Sequence, residues 1–493
     1  MVQCNLSGPI DSSLSRLNLL SVIRLDQNNL SATVPEFFGN FTNLTRLHLS
    51  SCGLSGSFPQ NIFRVKTLTF IDISYNTALS GSFQNFPLNG SLQTLVVRGT
   101  NFSGGLPDSI SNLKNLSKLD LSISHFSGQL PNSISGLTEL AYLDLSMNNF
   151  SGPIPSFSTA NKLTYMDLSD NVLSGQISSP GRFKGLQNLV TINLRNNSIS
   201  GIIPSSLFML SSLQSIKLSD NQFSQLHEFS TTPSSVLNTL DLSSNNLSGP
   251  IPRSIFQLRE LGILRLSSNK FNGLILLDML VELRNLTSLD LSYNNLSIKV
   301  NKSDSRLSSV LNMTTLKLAG CKLETFPGFL RYQSKLTDLD LSDNQIRGPI
   351  PSWIWKLESL SYLNLSHNLL TDFERPFQNL SSSLNLLDLH DNHIRGQIPF
   401  LPRRAAYLDY SMNKFSSFDI PAYPSDYTAF TIFLSLSNNS FRGTIPPFFC
   451  NFSSLRVLEL SHNNFSGTIP SCLMKMSETH TNPAEEQSHG ENT

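Results

Sequence analysis

The chain has 493 residues, of which 39% are hydrophobic and 14% charged, with 35 Lys+Arg balanced by 35 Asp+Glu. Balanced charge leaves no net field to draw in DNA, RNA or an anionic bilayer, so no nucleic-acid partner is expected. A single compact core stops growing well short of this length, which leaves either several domains or an array whose units pack only on their neighbours.

Taken from the first residue, the chain reads as an array. Compared with itself at a shift of about 24 residues, it shows the pattern L-x-x-L-x-L-x-x-N-x-L at about nineteen successive places. Residues 1–19 open inside such a unit, with Cys4 at the Asn position and Leu6-Ser7-Gly8-Pro9-Ile10 completing a turn. They are expected to form a partial repeat without an N-terminal cap. Residues 1–10 show neither the charged nor the apolar region of a signal peptide. Residues 20–476 carry the tandem units, and 477–493 are polar, aperiodic and expected to be a disordered tail.

The clearest unit, 240–252, reads LDLSSNNLSGPIP, with equivalents beginning at Leu143, Leu339 and Leu458. Strand alternation turns Leu240 and Leu242 inward and places Asp241 on the surface. Each buried Leu contributes roughly 1.5–3 kcal/mol, but only once the next coil covers it. Asn245, Asn344, Asn392 and Asn463 end their strands, where a side-chain amide satisfies backbone groups that no ladder reaches. Gly then makes a turn and Pro fixes an extended segment. The fold class expected is an α/β solenoid, mostly β: a right-handed leucine-rich-repeat superhelix with a concave parallel β-sheet.

Along the chain the pattern slips at Thr77-Ala78, at 225–236 and at 298–312, each read as a loop that is either a tolerated bulge or functional. Thr100 and Ser124 stand where Asn is usual, and both still donate and accept hydrogen bonds. The longest apolar run, 274–280, contains Asp278, so no membrane span is expected. Cys4, Cys52 and Cys321 fall on the Asn position and read as buried free thiols. Cys450 and Cys472 fall off it in adjacent coils, where stacking predicts a disulfide of around 3 kcal/mol, the competing reading being two unpaired thiols.

Sequons that read as glycosylation sites include Asn40, Asn43, Asn89, Asn101, Asn115, Asn285, Asn301, Asn312, Asn379 and Asn451, which favours a secretory route. A further sequon at Asn364 points outward on a strand, where a glycan would obstruct a ligand. No Gly-rich phosphate loop, H-E-x-x-H or C-x-x-C occurs, and the nine histidines lie singly along the chain. Neither catalysis nor a cofactor nor a metal is therefore expected.

Segments 21–44 (SVIRLDQNNLSATVPEFFGNFTNL) and 49–63 (LSSCGLSGSFPQNIF), with Trp353-Ile354-Trp355 of GPIPSWIW, resemble plant leucine-rich-repeat receptor-like proteins of the Verticillium wilt resistance type. The resemblance runs to about Met476. It implies the plant-specific repeat and the ectodomain of a cell-surface immune receptor at the extracellular face of the plasma membrane. Its ligand would be a microbial or endogenous protein or peptide, and its partners co-receptor or adaptor kinases that supply the signalling activity. Members begin with a signal peptide and a cysteine-paired cap and continue to a membrane span, so this chain is expected to be a fragment, secreted or mislocalised. The competing readings are a soluble inhibitor of a cell-wall-degrading enzyme, similar to polygalacturonase-inhibiting proteins, and a truncated product without activity.

Most outward strand positions repeat the Asp and Ser of L-D-L-S, as at Asp144, Asp241, Asp290 and Asp340. Departures from that background are the ligand-binding candidates: Arg24, Arg46, His48, Val96, Arg98 and Lys118, followed by Tyr142 and Tyr165 one coil apart. Arg and Tyr dominate interface energetics when buried. Lys217, Arg265 and Lys317 form a more scattered basic set.

Overall fold

The computed structural model describes residues 1–177, 183, 185–230, 235–300, 310–375, 383–418 and 430–475. They form two compact units, Met1–Asn272 with Glu282–Asn285, and Gly273–Val281 with Leu286–Thr493.

In the first unit three-residue strands stack in parallel from Val22–Arg24 through Arg46–His48, Phe70–Asp72, Thr94–Val96, Lys118–Asp120, Tyr142–Asp144 and Tyr165–Asp167 to Ile263–Arg265. Register holds residue for residue, so Leu119, Leu143 and Met166 lie side by side. All three have no exposed surface, and the same holds for Leu121, Leu145 and Leu168 two positions on. A second parallel sheet on the same coils runs from Ser55–Ser57 to Gln222–Gln225. Between the two sheets Phe102, Phe126 and Phe150 are fully buried, the last two with parallel rings 6.1 Å apart. Short 3-10 turns such as Asp108–Asn112 and Asn132–Gly136, both following a Pro, return the chain to the next strand. The second unit repeats this plan from Ser288–Asp290 to Val457–Glu459, with Leu365, Leu387 and Leu408 fully buried. These elements make the protein a solenoid of leucine-rich repeats.

The strand-ending Asn is the pin between coils. Asn171 accepts from the backbone N–H of Phe150 at 2.9 Å and donates to the carbonyls of Leu145, Leu168 and Ser169. Four backbone groups that no strand ladder reaches are thus satisfied by one amide. Thr100 and Ser124 manage less: Thr100 donates to Val97 O, and the Ser124 hydroxyl reaches Val97 O at 3.3 Å. Just before the pin, the chain takes a left-handed turn in coil after coil, with φ of +53° at Ile123 and Met147 and +56° at Tyr75. A β-branched residue there is strained, yet Ile123 keeps the conformation because its N–H bonds to Ser146 O in the next coil.

Two expectations need correction. Cys52 and Cys321 are buried thiols, the latter pushed up to about 12 by burial, but Cys4 is exposed. Its one covering neighbour is the coil that holds Asn28, which takes its N–H, and its thiol reaches only Val2 O. The Asp of L-D-L-S is the second case. Asp144, Asp167, Asp340 and Asp409 are buried, because each carboxylate folds back to accept the N–H and hydroxyl of the Ser two residues on. What reads as solvated background is a structural row. The slips at 225–236 and 298–312 fall partly, and the tail 477–493 wholly, outside the described residues; Ser471–Lys475 ends the described chain as an α-helix. Among the described residues no helix is long and apolar enough to cross a membrane.

Candidate functional site

The strict register turns every outward position into a row that runs across the coils. One row of the first unit passes through Val22, Arg46, Phe70, Thr94, Lys118, Tyr142 and Tyr165. The next passes through Arg24, His48, Asp72, Val96, Asp120, Asp144 and Asp167. Arg98 stands two residues beyond Val96, beside both.

These side chains are brought together rather than scattered. The Arg46 guanidinium lies 4.6 Å from the centre of the Phe70 ring, and His48 stacks on the same ring at 4.2 Å. Arg46 Nε also donates to His48 Nε2 at 3.3 Å. Further along, the Lys118 ammonium sits 4.6 Å over Tyr142, which stacks on Tyr165 with centroids 4.6 Å apart and planes within 6°. Arg98 ties the second row to the turns beyond it: it donates to the Ser122 hydroxyl, pairs with Asp144 at 3.5 Å and lies over the Tyr75 ring.

Electrostatics follow from this packing. Burial and the neighbouring Asp144 carboxylate raise the Tyr142 hydroxyl well above the ordinary phenol, and Tyr165 is raised likewise, by burial and then Asp167. Both phenols donate to those carboxylates. Burial raises Asp144 too, outweighing the bonds from Ser146. His48 moves the other way: burial holds it below the usual imidazole value, Arg24 and Arg46 add to the effect, and Asp26 and Asp72 oppose it. The result is a largely half-buried aromatic and cationic stripe beside a line of carboxylates. It offers flat apolar faces, N–H donors and acceptors in alternation along several coils.

Not every candidate lies on that stripe in the open. Arg24 and Arg46 are exposed, Arg98, Lys118, Tyr142 and Tyr165 half-buried, and His48 and Val96 buried. Sequence reasoning passed over Phe70 and Tyr75, which carry the two arginines. Phe70 has a signal, since it holds the same strand position, two places before the strand Asp, as Tyr142 and Tyr165. Tyr75 has none, because it sits in the left-handed turn. Of the scattered basic set, Arg265 pairs with Asp241, Lys317 lies over Tyr362 and Lys217 is exposed.

Away from the sheet, a disulfide joins Cys450 to Cys472, with Cα atoms 5.7 Å apart. Asn40, Asn43, Asn89, Asn101, Asn115, Asn285 and Asn312 are exposed and Asn451 half-buried, while Asn301 and Asn379 lie outside the described residues. Asn364 is half-buried and accepts from Ser366, in the manner of the Asp it replaces.

Leucine-rich-repeat family models match residues 176–223 and 311–370, then 43–65, 91–113, 139–159, 236–258, 431–452 and 454–476, and finally 282–297. Receptor-like protein 49 of Arabidopsis thaliana is 40% identical over 271 residues, which are 54% of this chain and 28% of that protein. Receptor-like protein 32 of the same plant is 33% identical over 174 residues, 35% of this chain and 18% of its own length. The matched stretches thus span less than a third of these relatives.

Solved structures align over nearly the whole chain. The plant peptide hormone receptor RGFR1 in complex with RGF2 is 29% identical with a TM-score of 0.72, covering 96% of this chain and 83% of that one. PEPR1 with AtPEP1 is 28% identical with a TM-score of 0.76, covering 95% and 69%. The Arabidopsis receptor kinase HAESA, solved with the peptide hormone IDA and the co-receptor SERK1, is 27% identical with a TM-score of 0.73, covering 96% and 83%. By repeat pattern, curated relatives and solved ectodomains alike, this chain belongs with the leucine-rich-repeat receptor-like proteins of plants.

Proposed function

We propose that the chain is the ligand-recognition part of an extracellular immune receptor-like protein, of the Verticillium wilt resistance type. It binds an extended peptide, or an extended segment of a protein, across the outward face of its first unit. The observation that carries this reading is the continuous stripe from Arg46 and Phe70 to Lys118, Tyr142 and Tyr165, with Arg98 beside it. Aromatic rings held by stacking lose little side-chain freedom on binding, and Tyr and Arg are the residues that anchor interfaces. The three solved ectodomains described above are complexes with their ligands, one of them with a co-receptor, which supports the same mode here with kinase partners for the signal.

The test is selection of peptide ligands against the purified chain, followed by Kd measurement on variants. The Tyr142→Ala, Tyr165→Ala double variant is expected to lose at least about tenfold in affinity. A selected peptide whose Kd is unmoved by that pair, by Arg98→Ala and by Lys118→Ala would place the binding surface elsewhere and overturn the reading.

A further inference from the structure

The second unit carries another group of titratable side chains on its outward face, and the chain's numbering conceals how close they stand. His367 occupies the left-handed turn before the pin Asn368, with φ of +51°, and His390 follows Asp388 in the next coil. Asp391 Oδ2 lies 2.7 Å from His367 Nδ1, and Asp388 Oδ1 lies 2.8 Å from His390 Nδ1. The two Nε2 atoms then face each other at 2.8 Å, with the rings edge to face.

With each Nδ1–H given to a carboxylate, both Nε2 atoms present lone pairs to the same point. Two neutral rings so oriented repel, so something positive belongs between them. We propose that His367 and His390 bind a divalent transition-metal ion of the zinc class through their Nε2 atoms, with Asp391 and Asp388 as the carboxylates that orient them.

Three features favour a metal over a lone shared proton. The carboxylate–imidazole arrangement that sets ring orientation and raises ligand basicity in metal sites is present on both rings. Asp388, Asp391 and Asp409 all face His390, and their combined negative charge favours a dication. Both rings are also partly open, their side chains 43% and 26% exposed, so water has room to complete a tetrahedral shell. Zn–N bonds of about 2.0–2.1 Å require the two nitrogens to part by only about half an ångström.

An alternative donor set, Asp388, His390 and Asp409, has its ligand atoms within 4.8 Å of one another. Most of the carboxylate oxygens in that set already accept hydrogen bonds. Asp409 accepts from Ser411 N, Ser411 Oγ and Tyr407 Oη, and Asp388 Oδ1 takes both the N–H and Nδ1 of His390. The Nε2 pair is therefore the open end of the cluster.

This proposal does not depend on the peptide reading. Zinc chloride titrated calorimetrically into the purified chain at neutral pH is expected to fill one site. His367→Asn, which suits the left-handed turn, is expected to weaken zinc binding at least about tenfold, and Asp391→Asn by about tenfold. Neither should alter the metal-free melting temperature by more than about 2 °C. Magnesium chloride is expected not to bind, because a hard cation takes oxygen ligands. Absence of zinc binding would mean the pair holds a proton only. Zinc binding unmoved by His367→Asn, or magnesium binding equally well, would also overturn the assignment.

Discussion

Tyr142 on Tyr165 in the first unit and Tyr407 on Phe433 in the second are the same construction. Each pair stacks at about the strand spacing, 4.6 and 4.5 Å, with planes nearly parallel. In each, a phenol donates to the Asp two residues on, Asp144 or Asp409, and burial raises the tyrosine. The difference lies in what surrounds them. The first pair has Lys118 over the ring and Arg98 on the carboxylate. The second has His390, Asp388 and Asp391 nearby and Glu459 one coil beyond Ser435. The same stacked construction thus stands in a cation-studded setting in the first unit and in an acid- and imidazole-rich one in the second, with no change in the core beneath it.

The sharpest way to break this comparison is to attack what the two regions share. Leu143→Ala and Leu408→Ala each remove a side chain with no exposed surface, and each is expected to cost about 2–5 kcal/mol in denaturant unfolding. If one of them costs under about 1 kcal/mol, the two coils do not rest on equivalent cores.

Next in size is the separation of function. If the first stripe is the peptide surface, Tyr142→Ala alone should weaken the selected peptide about tenfold or more, whereas Tyr407→Ala, its structural twin, should change the Kd by less than about twofold. Equal losses from both would mean that stacked rings are needed for the sheet, not for the ligand, and that the charge setting does not matter.

Much of this was legible from the residues. The inward leucines, the Asn pin, the bridging of Cys450 with Cys472 as one of two alternatives, and the outward Arg and Tyr positions all follow from a period of about 24 and the alternation of a strand. Three things were not. The Asp of L-D-L-S looks solvated because a strand pattern says which face a residue takes, not whether its carboxylate folds back on Ser146 or Ser411. Tyr75 and His367 sit in a left-handed turn, which periodicity does not describe, yet there they reach Arg98 and His390. The histidines, finally, look dispersed because metal-ligand spacing is sought within one element; in a solenoid the nearest neighbour in space is one repeat away.

A smaller effect sharpens the electrostatic half of the comparison. Removing Arg98 strips the cation from Asp144, whose side chain is 5% exposed, and Arg98→Ala is expected to cost about 1–2 kcal/mol of stability. No such loss is expected from Arg265→Ala, since that guanidinium is half exposed and 3.8 Å from Asp241. Chemical denaturation of both variants decides it: equal costs would put Asp144 in a wetter setting than its burial implies.

His48 gives a pH signature confined to the first unit. Its folded value lies below the unfolded one because burial against Phe70 disfavours the charged ring. The unfolded chain therefore binds the extra proton between the two values, so this contribution is complete above about pH 6.5 and is lost as pH falls through the folded value. His48→Gln should flatten that part of the stability profile, measured by thermal melting across the acid range. A profile that keeps its slope in the variant would assign the loss to other groups.

The smallest effect tests how much the cation over the first tyrosine pair contributes. Lys118 is half-buried and its ammonium is 4.6 Å from the Tyr142 ring, a geometry for which the attraction is about 0.5–1 kcal/mol at a partly exposed site. Lys118→Met keeps the aliphatic stem over the ring and removes only the charge, so peptide affinity should fall by about two- to fivefold and the fall should shrink as salt is raised. Lys118→Ala removes both and should lose more at every salt concentration. If the two variants behave alike and neither responds to salt, the lysine acts by covering Tyr142, and of the two cations beside the first tyrosine pair only Arg98 acts through its charge.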